Sequence, residues 1–287
     1  MIIILGWLIA VTCALGGYAL LGGHVSVLWQ PTELLIVGGA AVGFVISSNS
    51  PRVLRQLSLS VPAAFRGQPA SKELYLDLLC MLFELLNRAR RDGISAIESD
   101  IEAPESSALF SRYPAIQANA RVVEFTTDYL RILLGGSLNV NQLENLMEQE
   151  IEISQQNGQA QVHAVQRVAD ALPAFGIVVA VMGVVHTMGS VGLPPAELGK
   201  LIAVALVGTF MGIVLAYCFV SPIASVMEQQ NDVELNAMVC IKSVLLAHVN
   251  GFAPALSVEF GRKILFPDMR PSFYEVDEGT RSVKSIR

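Results

Sequence analysis

The sequence predicts an all-α, polytopic membrane protein with four transmembrane helices and a helical cytoplasmic domain. Three observations carry that expectation. Of the 287 residues, 53% are hydrophobic and only 15% charged, where a soluble domain carries about 25% charged residues. The segments 1–32, 34–51, 171–196 and 201–227 contain no Asp, Glu, Lys or Arg. Between them, apolar residues recur at helical spacing, and no strand pattern of useful length is present.

A helix rising about 1.5 Å per residue needs about 20 apolar residues to cross a hydrocarbon core of about 30 Å. The spans are therefore expected near residues 2–21, 32–49, 172–192 and 201–221. The first begins Met-Ile-Ile-Ile-Leu, without a basic leading region or a following small-x-small cleavage site, so it reads as a retained helix. Segment 52–170 holds 11 of the 19 basic residues and 222–287 holds 7, while the short links 22–31 and 193–200 contain only Lys200. Lys and Arg collect on the cytoplasmic side of a membrane, which places both termini and the long loop there. The expected organisation is spans one and two in 1–50, a cytoplasmic helical domain in 51–170, spans three and four in 171–221, and a C-terminal helix and tail in 222–287.

After Pro69, Ser71 can cap a helix that carries Leu74, Leu78, Leu79, Leu82, Leu85 and Leu86 on one face and closes at Gly93. A second helix is expected from about Ala115 to Leu134, ending at Gly135-Gly136. Asn139 can cap a third, acidic helix that leads into span three. Span four passes Pro222 into a polar helix reaching about Val249. The end after Pro271 reads as loose.

The net charge of −6 offers nothing to attract nucleic acid. Cys13, Cys80, Cys218 and Cys240 lie far apart, without metal-ligand spacing, and read as buried thiols. No phosphate-binding, dinucleotide, nucleophile-elbow or zinc-protease motif occurs. Neither an enzyme nor a cofactor or metal site is expected.

Spans three and four are rich in small residues. Gly176, Ala180 and Gly183 recur along span three, and Ala205, Gly208, Thr209, Gly212 and Ala216 along span four. Such stripes allow helices to approach closely in lipid. They serve either ordinary packing within this chain or the embrace of another protein's helix. Gly39-x-x-x-Gly43 in span two reads as ordinary packing. Pro173 and Pro222 stand at span boundaries, where a proline can be a static bend or a hinge. A carboxylate inside a span would mark an ion site, but Glu33 and Glu197 fall at the outer ends. His186 reads as a packing residue. Thr187, Thr209 and Tyr217 could line a wet path but cannot carry a proton alone, so a partner is expected to bring the carboxylate. Ser95-Ala-Ile-Glu98 fits a capping box, and Arg90 lies near a helix end where cations are favoured.

Four stretches resemble the MotA family of flagellar stator subunits: Asp170-Ala-Leu-Pro-Ala-Phe-Gly through His186; Ala196-Glu-Leu-Gly199 with Val207-Gly-Thr-Phe-Met-Gly-Ile-Val-Leu-Ala-Tyr217 and Ser221-Pro222; Arg90 with Glu98-Ser-Asp-Ile-Glu102; and Val258-Glu-Phe-Gly-Arg-Lys263. The resemblance covers nearly the whole chain. It implies a multi-pass protein of the bacterial inner membrane that couples ion flow to torque. It implies five copies around two helices of a MotB-like subunit, whose intramembrane Asp binds the ion, with a proton closer to this chain's form than sodium. It further implies that Pro173 and Pro222 couple ion occupancy to movement, that Ala180, Thr209 and Tyr217 face the pathway, and that Arg90 and Glu98 meet the rotor protein FliG. An energiser of the ExbB or TolQ type, or a passive scaffold, would be the competing readings. The large loop with Arg90 and Glu98 favours a stator over an energiser, and the paired prolines disfavour a scaffold.

Overall fold

The computed structural model describes residues 2–66, 71–136, 139–190 and 192–285; Pro69 lies outside them. Thirteen α-helices are seen among these residues: α1 (Ile2–Leu20), α2 (Val25–Leu28), α3 (Pro31–Ser48), α4 (Pro51–Arg66), α5 (Lys72–Asp92), α6 (Glu98–Glu102), α7 (Pro114–Gln117), α8 (Ala120–Gly135), α9 (Val140–Met188), α10 (Pro195–Val214), α11 (Ser221–Val249), α12 (Pro254–Ile264) and α13 (Phe273–Ser285). The chain divides into two compact units, Met1–Gly67 with Asn157–Gln229, and Gln68–Gln156 with Gln230–Arg287.

The first unit carries the spans. Four helical segments, Ile3–Leu20, Val25–Ser48, Val140–Met188 and Pro195–Val249, contain windows long and apolar enough to cross a membrane. α1 has no polar face. Its Ile4, Leu5, Leu8 and Ile9 are all at least half exposed, as suits a helix whose solvent is hydrocarbon. Trp7 fixes it inward, with its ring 5.5 Å from Phe65 and 5.1 Å from Phe219. α4 is a helix the sequence reading did not separate from the cytoplasmic domain. Leu57, Val61 and Ala64 share one side of it, and that side packs with Ala164 and Val165 of α9 and Ala224 and Met227 of α11. Polar ties hold the same region: Arg52 donates to Asn157 at 3.1 Å, Arg167 donates to Asn49 at 2.9 Å, and Ser60 donates to Gln161.

The second unit has a water-soluble protein's core. Ser71 caps α5 by accepting from the Leu74 N–H, and Gly93 closes it at φ 91°, a left-handed value that favours glycine. α5 buries Tyr75, Leu78, Leu79, Leu82, Leu85 and Leu86 against Phe110, Phe125, Tyr129, Ile241, Val244 and Leu245. Each fully buried leucine contributes about 1.5–3 kcal/mol. The helix expected over 115–134 is interrupted: Asn119 accepts from the Val122 N–H and starts α8 afresh after the short α7. Asn139 caps α9 reciprocally with Gln142, each side chain accepting from the other's N–H. Residues 272–285, expected to be loose, form a capped helix. Ser272 and Glu275 cap α13 in the same reciprocal way, and Lys72 pairs with Glu275 at 2.7 Å, so α13 packs along α5. The sequence signal was hidden because Ser272-Phe-Tyr-Glu275 begins a helix with few aliphatic residues. Of the thiols, Cys80 and Cys240 are buried, Cys218 is half-buried and Cys13 is exposed on α1; a lipid-facing position does not require burial by protein. Burial, with Asp77 nearby, pushes the Cys80 thiol up to about 11.

Candidate functional site

In the first unit the candidate residues stand on α9, on α10, on the Leu215–Val220 segment that follows it and at the start of α11. The glycines seal a contact within the chain. A Cβ on Gly176 would lie 2.7 Å from the Gly208 carbonyl oxygen and 3.1 Å from the Thr209 Cα; on Gly183 it would lie 2.5 Å from the Ala205 Cβ; on Gly212 it would lie 2.7 Å from the Leu172 carbonyl oxygen. Backbone therefore lies on backbone, which no larger side chain permits. Val179 joins Gly176 and Gly183 in this contact, and of the two readings open for the small stripes these glycines serve packing within the chain. Gly39 and Gly43 meet nothing within 4 Å, so they do not pack within the chain.

The predicted pathway residues lie at the margins of that contact. Ala180 and Thr209 are half-buried, one turn from the sealed glycines, and Tyr217 is 61% exposed. Pro173 lies within α9 and removes one helix hydrogen bond there. Pro222 has a visible effect upstream: Leu215–Val220 winds as a π-helix. Pro222 has no N–H and its ring crowds the carbonyl of Cys218, and the wider turn before it relieves that crowding. The wider turn contains Tyr217, so that residue stands on irregular helix. Pro173 and Pro222 are thus not equivalent bends. Thr187 is buried, and its hydroxyl donates back to the Gly183 carbonyl at 2.8 Å. His186 is exposed at the end of α9, so it does not pack within this chain.

Glu33 departs furthest from expectation. It sits in the first turn of α3 but faces inward, 6% exposed, one turn before Val37 at 0%. Sequence position gave it to the outer surface; the contacts of α2 and α3 with α10 bring it into the helix bundle.

In the second unit, Arg90 and Glu98 bracket a turn made by Gly93 and a 3-10 helix over Ile94–Ile97. Arg88 pairs with Asp100 at 2.5 Å and with Glu84 at 3.6 Å; Arg112 also pairs with Glu84, and Ser107 donates to Asp100 at 2.6 Å. This clasp joins α5 to α6 through residues that the sequence did not single out. Glu84 is 3% exposed, so its charge must be matched where it stands. Arg90 and Glu98, by contrast, are exposed, and among the described residues neither has an ion-pair partner. The anticipated capping box is absent: Ser95 lies inside the 3-10 helix, and α6 begins with no side-chain cap. Glu98 is free for something else. Among the described residues no group of His, Cys, Asp and Glu could hold a metal ion.

Residues 4–93 match the model of the motility protein A N-terminal region, and residues 119–239 match the MotA/TolQ/ExbB proton channel family. Motility protein A of Salmonella typhimurium is 44% identical over 285 residues, covering 99% of this chain and 97% of that one. This chain belongs to the motility protein A family. The Escherichia coli motility protein A is likewise 44% identical over 99% of this chain and 97% of its own. Among solved structures, Campylobacter jejuni MotAB gives a TM-score of 0.79 at 21% identity, covering 94% of this chain and 98% of that one. The flagellar MotAB stator complex of Bacillus subtilis gives 0.70 at 21% identity, covering 89% and 92%. Those structures support the fold. As a member of that family, the chain is a multi-pass inner-membrane stator subunit of the flagellar motor, and the stator reading displaces the ExbB or TolQ alternative.

Proposed function

We propose that this chain forms the torque-bearing part of a proton-driven stator, five copies surrounding two MotB-like helices, with both termini in the cytoplasm. Ala180, Thr209 and Tyr217 face the path of the ion, and the partner's membrane aspartate carries the proton through it. Pro173 and Pro222 translate its occupancy into movement, the π-helix before Pro222 being the more compliant of the two places. Arg90 and Glu98 meet complementary charges on the rotor protein FliG. Catalysis and resident cofactors form no part of the reading.

The observation that carries it is the contrast between the internally paired Arg88, Glu84, Asp100 and Arg112 and the exposed, unpaired Arg90 and Glu98 beside them. Exposed charges without partners contribute little to the fold, under about 1 kcal/mol, but can steer and register a partner. Charge reversal supplies the test. Arg90→Glu and Glu98→Lys should each lower swimming while membrane levels and thermal stability stay within about 0.5 kcal/mol of the original. Reversing the rotor charge should restore swimming for the matching pair. Strictly additive losses throughout would reject the rotor contact.

A further inference from the structure

The inward stripe of α3 consists of Glu33, Val37, Ala41 and Phe44. Val37 and Ala41 pack with Leu172, Val179 and Ala216, and the Phe44 ring lies 6.1 Å from that of Phe175. Glu33 occupies the next position of an otherwise apolar seam. Its Oε2 lies 3.4 Å from where a Cβ of Gly208 would stand, and that oxygen is buried without a hydrogen-bond partner among the described residues. Gly208 permits this approach, since a side chain there would first meet Val179, 2.6 Å away.

A carboxyl group in this position is subject to two opposing influences. An ionised carboxylate without a partner in apolar surroundings is costly by several kcal/mol, which favours the protonated group. The third position of a helix favours the anion through the exposed N–H groups and the helix dipole. In α3 that influence is not spent on another cap, for the Gln30 side chain makes no capping hydrogen bond and donates instead to the Val27 carbonyl. The packed elements bring few other charges: α3 has none besides Glu33, α2 is preceded by exposed His24, α9 carries exposed His186 near its outer end, and α10 carries exposed Glu197 and Lys200. None of these pairs with Glu33 among the described residues. Both protonation states are therefore accessible, and an intramembrane ionisable group so placed is a site by default.

We infer that Glu33 is a proton-binding site of this chain itself, at the α3–α9–α10 contact, distinct from the carboxylate brought by the MotB-like partner. One proton joins the carboxylate to give a neutral carboxylic acid and leaves again, and no other bond changes. The inference uses the stator reading only to connect this proton with ion flow.

The experiment takes the full chain co-expressed with its MotB-like partner and reconstituted in lipid vesicles. Infrared difference spectra between two pH values are recorded for the original complex, Glu33→Gln, Glu33→Asp and the Asp→Asn variant of the partner's membrane aspartate. A protonated-carboxyl band that survives the partner's substitution, disappears in Glu33→Gln and shifts in Glu33→Asp is expected. Proton flux should fall several-fold in Glu33→Gln. If that variant does not assemble, the shift and altered flux of Glu33→Asp provide the same readings. The absence of any Glu33-dependent band, a band that responds to sodium at constant pH, or unchanged flux would overturn the inference. Persistence of flux in the partner's Asp→Asn variant would instead count against the stator reading, leaving the band's assignment intact.

Discussion

α9 and α10 meet through Gly176 and Gly212 with backbone against backbone, and through Gly183 and Gly208 with backbone against the Ala205 and Val179 side chains, while in the core of the second unit Leu78, Leu82, Phe125 and Leu245 gather side chain against side chain. Solvent accounts for the difference. Leucines gain nothing by leaving lipid for a helix interface, so close van der Waals packing has to hold the spans together. In water, burying the same leucines is the main driving force. The surfaces invert accordingly: Leu8 and Val185 are more than half exposed in the first unit, whereas in the second the exposed side chains include Arg90, Arg91 and Glu98.

Truncation in the second unit gives the largest expected effect. Leu82→Ala should cost about 2–5 kcal/mol, whereas Leu8→Ala on the outer face of α1 should stay within about 0.5 kcal/mol. Thermal unfolding of the solubilised complex would measure both. Equal losses would erase the proposed distinction between the units. Enlargement is the corresponding change in the first unit. Gly176→Val should cost about 1–3 kcal/mol through overpacking, while Gly39→Val, which meets nothing within 4 Å, should leave the melting curve of the complex almost unchanged.

The smallest effect sharpens the role of polar ties in the second unit. Lys72 and the Ser272 cap hold the Glu275 carboxyl down at about 2. A lowered carboxyl contributes stability above its unfolded value of 4.5 and loses it as pH falls through the folded value. Hydrogen exchange of α13 should therefore show more protection in the original than in Glu275→Gln above about pH 4.5, a gap that narrows below this value and closes near pH 2. A gap independent of pH would remove the ion pair and cap as its cause.

Much of this was legible in the sequence because local rules govern it. Ser71, Gly93 and Asn139 mark their helix ends through their own hydrogen bonds or backbone angles, and the uncharged stretches announce the spans. Other features depend on distant neighbours. Which side chain of α9 lies against Gly208 is decided by helix rotation, and spacing alone did not name Val179. Glu33 looked superficial because its place near a helix start says nothing about α10. Arg90 and Glu98 were recognisable through the family resemblance, but their lack of partners emerges only once Arg88, Glu84, Asp100 and Arg112 are seen to satisfy one another. The π-helix had a local signal in Pro222, whose missing donor could have been extended to a prediction about the preceding turn.

The central claim is that this chain is one part of a channel whose conducting carboxylate belongs to its partner. Glu33 does not alter that, because a single acid buried beside Gly208 does not connect the two sides of a membrane. Proton flux into vesicles containing the chain alone, the chain with its MotB-like partner, or the chain with the partner's Asp→Asn variant tests the claim most directly. The account predicts flux only from the complete, unsubstituted complex. Robust flux from the chain alone would contradict it.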